Sequence, residues 1–140
     1  MEIKKVVVIG SGTMGSGIAA HLCNAGVPVT LLDLTTEISE KARERIHKSR
    51  PPLLIDKSKI HNINVGNIEE NFDVVKDADW VVEAVVERID IKHNIYEKIF
   101  KNRKKGAIVS SNTSSIPIKV LSEKLNDEEK KDFCITHFFN

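Results

Sequence analysis

Apolar positions in this chain come in short blocks, and their spacing switches between two periods. Val6 to Ile9 form an unbroken apolar run that closes a strand predicted over 5–9, short enough to be buried on both faces. A glycine-rich turn follows. Beyond it Met14, Ile18, Leu22 and Ala25 recur at helical spacing, and Gly26 stands where a helix ends. A second strand is predicted over 27–33. Thr35 or Thr36 can cap the next helix, which Pro51 and Pro52 stop. The stretch 51–62 has a mixed pattern and reads as a loop with one short helical turn, and 63–68 reads as a third, weaker strand. A buried strand over 79–84 precedes a helix with Ile91, Ile95 and Ile99 on one face. A strand over 107–110, a short helix from Pro117 to about residue 124 and a last strand over 133–136 complete the order. Strands alternating with helices predict an α/β fold, a Rossmann-type doubly wound arrangement with a mainly parallel sheet.

Composition narrows the function classes. The chain has 140 residues, enough for one domain with its own core, and 41% apolar with 29% charged residues is ordinary for a globular protein. A net charge of +1 advertises no basic face, so nucleic acid is not an expected partner. No apolar run has the length of a membrane span, and the start of the chain does not read as a signal peptide, so the expected location is cytoplasmic. Cys23 and Cys134 both fall in apolar elements and read as core residues of a protein in a reducing compartment. His47, His61 and His93 lie in polar stretches and read as surface; His21 shares the face of Met14, Ile18 and Ala25 and reads as partly buried packing. No pair of histidines or cysteines has metal-ligand spacing, and no metal is expected.

The chemistry concentrates at strand ends. Gly10, Gly12 and Gly15 follow the first strand as G-x-G-x-x-G and open a helix. Such a loop lets a strand turn tightly into a helix at Gly10, lets a diphosphate approach at Gly12, and lets helix and strand pack at Gly15. Backbone N–H groups from Ser11 through Thr13 and Met14, at the positive end of the helix dipole, would hold the phosphates. Asp33 closes the second strand about twenty residues on, where a carboxylate accepts from adenosine ribose hydroxyls. No arginine stands beside it to pair a 2′-phosphate, which favours NAD over NADP. The alternative for Asp33 is a strand-end aspartate capping the next turn. Glu83 and Glu87, the polar run 110–115, and Thr136 with His137 end three further strands. Ser115 as a helix N-cap and Glu87 as a surface carboxylate are the alternatives there.

These residues resemble those of the NAD-dependent L-3-hydroxyacyl-CoA dehydrogenases. The resemblance runs through residues 8–19, through 81–87, through Ser111-Asn112-Thr113-Ser114-Ser115 and through His137-Phe138-Phe139-Asn140. It implies hydride transfer between NAD and C3 of a 3-hydroxyacyl-CoA or acetoacetyl-CoA, in fatty acid β-oxidation or hydroxybutyryl-CoA metabolism. His137 would take the hydroxyl proton, a task suited to an imidazole near neutrality. Ser114 would contact the substrate oxygen and the nicotinamide end. Glu87, Lys92 and Asn140 would help to hold NAD, and Asp33 its ribose. The resemblance also implies dimerisation through a C-terminal helical domain that lies outside 1–140, so these residues read as an NAD-binding Rossmann domain incomplete at its C-terminus. The family's glutamate that orients the histidine falls beyond Asn140, and little turnover is expected of the 140 residues alone. The segment between Asp33 and Trp80 reads as shorter than the family's helical hairpin. A non-catalytic NAD-binding module, or a dehydrogenase of another 3-hydroxy acid, remains as an alternative.

Overall fold

The computed structural model describes residues 2–138. The strands are β1 (Val6–Ile9), β2 (Val29–Asp33), β3 (Ile63–Asn67), β4 (Trp80–Glu83), β5 (Ile108–Ser111) and β6 (Phe133–Ile135). The helices are α1 (Thr13–Asn24), α2 (Thr36–Lys48), α3 (Ile89–Asn102), α4 (Ile118–Leu121) and α5 (Asp127–Lys131), with 3-10 helices at Lys57–Asn62 and Phe72–Asp77. All five strand pairings are parallel and the order is β3-β2-β1-β4-β5-β6. This is the doubly wound Rossmann arrangement expected from the alternation. Its topological switch lies between β1 and β4, from which the chain winds outward in both directions.

The unbroken apolar runs reflect burial on both faces of the sheet. Val6 and Val8 pack with Ile18, Leu22 and Ile46 on one face, whereas Val7 and Ile9 pack with Val75, Ile95, Ile99 and Leu121 on the other. Helices α1 and α2 thus cover one layer, and α3 and α4 the opposite one. Asn126 and Glu129 form a reciprocal capping box that starts α5, a helix the apolar pattern did not predict because it buries no side chain. Only Phe72 and Val75 are buried in the second 3-10 helix, also unpredicted. The strand expected from residue 27 begins at Val29 instead. Gly26 (φ +81°) lets Val27 donate back to the Leu22 carbonyl at 3.0 Å, so Val27 closes α1. The helix expected to reach residue 124 ends at Leu121.

Cys23 is fully buried as expected, but Cys134 is only half-buried; both are free thiols. His21 stays exposed, its ring edge-on to Phe138 at 6.1 Å, and is less buried than its helical position implied. His93 is half-buried, with Nε2 2.9 Å from the Val120 carbonyl. No described helix is long and apolar enough to cross a membrane.

Candidate functional site: the carboxyl edge of the sheet

The glycine turn leaves β1 at the switch point, and its three glycines meet different surroundings. A Cβ on Gly10, whose φ is +102°, would lie 2.4 Å from the Ala84 carbonyl oxygen. One on Gly15 would lie 1.7 Å from the Gly10 carbonyl oxygen, because α1 packs directly on the turn. A Cβ on Gly12 would meet nothing within 4 Å. Gly12 is also the N-cap of α1, with no side chain capping the first turn and no acidic residue in it. An open approach, helix-start amides and no competing carboxylate are the features by which helix N-termini receive anions.

Asp33 ends β2 beside this turn. Its Oδ2 accepts from the Ser11 N–H at 2.7 Å and from the Ser11 hydroxyl, and its Oδ1 accepts from the Leu34 N–H at 2.7 Å. The carboxylate therefore belts the glycine loop to β2 and retains further lone pairs for a ligand. Thr35, not Asp33, caps α2 by accepting from Ile38 N–H. A cavity of about 520 Å³ opens between the glycine loop, Asp33 and the end of β4, with Leu34, Ile68, Val86 and Ile91 among its apolar walls. Leu34 and Val86 are exposed large hydrophobic residues, so the mouth of the cavity is apolar. Open approach, amide donors, a carboxylate with lone pairs to spare and an apolar slot together fit NAD.

Beyond β4 lies a buried ionic network. Glu83, fully inaccessible, takes four donors: Lys92 Nζ at 2.6 Å and Val85 N–H at 2.9 Å on Oε2, Tyr96 OH and the Ser111 hydroxyl on Oε1. Lys92 Nζ also reaches Glu87 Oε1 at 2.9 Å. A buried carboxylate is tolerable only with such partners. Burial first, and the Glu83 carboxylate second, push the Tyr96 phenol far above its ordinary range, so it remains a donor. Glu87 continues the network outward, accepting from Thr113 Oγ1 at 2.7 Å and Ser115 Oγ at 2.9 Å. Burial opposes ionisation of Glu87, but the bonds from Thr113, Lys92 and Ser115 outweigh it and hold its carboxyl below the usual range.

Ser114 sits exposed at the crest of this turn, between two residues tied to Glu87, while Thr113 Oγ1 accepts from the Ser115 and Ile116 N–H groups. Ser115 does not cap α4, whose N-cap is Pro117. His137 is exposed two residues past the end of β6, the strand paired with β5. Asn140 lies outside the described residues. The glycine loop, Asp33, Glu87, Ser114 and His137 thus all lie at or beyond carboxyl ends of parallel strands, along one edge of the sheet. Lys92 differs: its ammonium is turned into the network. Ser111 belongs to the polar run already visible in the sequence, but Tyr96 does not; the signal for Tyr96 was its place one helical turn after Lys92, beneath a glutamate in an apolar strand.

Fold and edge together define a dinucleotide-binding domain of the oxidoreductase type. Residues 5–140 match the family described as "3-hydroxyacyl-CoA dehydrogenase, NAD binding domain", and the chain belongs to that family. It is 47% identical over 146 aligned residues to a putative fatty acid oxidation complex trifunctional enzyme of Rickettsia felis, covering 99% of this chain and 20% of that protein. It is 43% identical over 147 aligned residues to a probable 3-hydroxyacyl-CoA dehydrogenase of Deinococcus radiodurans, covering 100% of this chain and 42% of that one. The crystal structure of 3-hydroxybutyryl-CoA dehydrogenase from Escherichia coli superposes with a TM-score of 0.85 at 27% identity, covering 100% of this chain and 30% of that one. The chain thus spans less than half the length of these relatives.

Proposed function

We propose that this chain binds NAD for an enzyme that moves hydride between the cofactor and C3 of a 3-hydroxyacyl-CoA, with His137 as the group that takes and returns the hydroxyl proton. The observation that carries the reading is the placement of Ser114 and His137 beyond neighbouring strands β5 and β6, on the edge that begins with the glycine loop. Gly12 and the first-turn amides of α1 would receive the diphosphate, and Asp33 the adenosine ribose. Glu87 and the Ser114 turn would border the nicotinamide end, with Lys92 supporting Glu87 from inside. NAD when bound supplies the hydride acceptor. Ser114 offers a hydroxyl to orient the substrate oxygen, and the His137 imidazole offers a ring nitrogen able to take and return the hydroxyl proton. The two free thiols support a reducing, cytoplasmic setting.

The test is a titration of the chain with NADH followed by nicotinamide fluorescence, then addition of acetoacetyl-CoA. Saturable NADH binding is expected, followed by a second response to acetoacetyl-CoA that is lost in His137→Gln. No NADH binding would overturn the reading. A response to NADH alone would favour a nucleotide-binding module without acyl-CoA chemistry.

A further inference from the structure

We infer that Asn112 is a positioning residue for His137, acting from just beyond β5 on the chain just past the end of β6. The inference rests on the reading of His137 proposed above. Strand β6 is three residues long, and its ladder ends where the Thr136 N–H donates to the Ser111 carbonyl at 3.0 Å. His137 comes next, beyond regular pairing. On its near side, Thr136 Oγ1 donates to Ser110 Oγ at 2.8 Å, and Ser110 Oγ also accepts from Trp80 Nε1 at 2.8 Å. On its far side, the Phe138 N–H donates to Asn112 Oδ1 at 2.8 Å. The Phe138 ring then stacks on Trp80, with centroids 6.4 Å apart and planes at 26°.

Three consecutive residues, Ser110 and Ser111 at the end of β5 and Asn112 just after it, therefore grip both neighbours of His137. Asn112 is itself fixed, because its N–H donates to the Glu83 carbonyl at 2.8 Å and extends the β4–β5 ladder by one step. Its side-chain oxygen does for Phe138 what a further ladder bond would do in a longer strand. A half-buried asparagine used in this way adds little to the core. What it determines is where the backbone of His137 stands. Trp80 couples the two sides, since its indole N–H serves Ser110 and its ring face carries Phe138.

The test is NMR of the chain with labelled histidine and amide nitrogen, with and without saturating NADH. Asn112→Ala is expected to speed exchange of the Phe138 amide roughly tenfold, the scale of one lost hydrogen bond. The NADH-induced shift of the His137 ring resonance is expected to be lost with it. Asn112→Asp, which keeps an acceptor oxygen in place, should restore both. Thr136→Val loosens the other side and should reduce the His137 shift while the Phe138 amide stays protected, so the inference remains testable if Asn112→Ala folds poorly. An unchanged Phe138 amide, or a His137 shift of full size in Asn112→Ala or in Thr136→Val, overturns the positioning role alone. A wild-type His137 that ignores saturating NADH overturns the reading of the site, and the inference with it.

Discussion

Lys92→Met probes the buried ion pair with Glu83, and removes the same ammonium from the half-exposed Glu87. Methionine preserves much of the aliphatic stem and removes the ammonium, leaving Glu83 at 0% exposure with three donors: the Val85 N–H, the Tyr96 hydroxyl and the Ser111 hydroxyl. Removing one partner of a buried pair costs about 3–5 kcal/mol, because the remaining charge is neither solvated nor neutralised. Set against a typical native stability of about 5–15 kcal/mol, the variant should fold but melt roughly 10–20 °C lower. Adding Glu83→Gln removes the stranded charge, so the double variant should be more stable than the sum of the single effects by about 2 kcal/mol or more. Urea unfolding followed through Trp80, the one tryptophan in the chain, measures all four species. A loss below about 1 kcal/mol in Lys92→Met, or strict additivity in the double variant, would refute the reasoning.

Gly12→Ala should leave the melting temperature nearly unchanged yet weaken NADH binding, because its Cβ meets only the space kept for the ligand; Gly15→Ala, facing the Gly10 carbonyl, should destabilise the fold itself. Parallel melts and NADH titrations separate the two, and a Gly15→Ala variant as stable as wild type would contradict the packing described. Asp33→Ala should weaken NADH binding about 10- to 100-fold, the scale of charge-assisted hydrogen bonds, and narrow the preference for NADH over NADPH; a preserved preference ratio would remove Asp33 from the discrimination. Asp79 is held down to about 2 by the bond from Lys104 first and then by the Lys4 and Lys5 N–H groups. A carboxyl depressed in the folded state stabilises above its unfolded pKa, near 3.9, and that contribution fades as pH falls toward about 2. The wild-type urea midpoint should therefore drop more steeply between about pH 4 and pH 2 than that of Asp79→Asn, and equal slopes would dismiss the effect.

The strands and the glycine turn were legible because each is a local statement: an apolar run of strand length, a glycine triplet, a carboxylate at a fixed offset. Strands β1 and β4 had near-correct limits for that reason. Helix α5 was not legible from periodicity, since none of its residues is buried; its Asn126 and Glu129 spacing was the available sign. The site divides in the same way. Residues that follow strand ends could be placed from sequence, and the structure brings the glycine loop, Asp33, Glu87, Ser114 and His137 to one edge. The partners that hold them could not. Tyr96 comes from α3 and Ser111 from β5, and only the parallel crossover between those elements brings them to Glu83. Asn112 was visible as one residue of the Ser111–Ser115 block but with no role of its own, because its partner Phe138 lies 26 positions away.

The belt between Asp33 and Ser11 has a consequence for how a ligand would arrive. The bonds that hold the glycine loop to β2 are formed within the chain, and Gly15 leaves α1 no room to slide against the turn. Ribose hydroxyls would then join an existing set of contacts, and no loop need fold around them. Such a pre-organised pocket loses little conformational entropy on association. Cofactor capture at this end should be a rapid, single-step encounter, governed by diffusion and orientation more than by rearrangement of the protein.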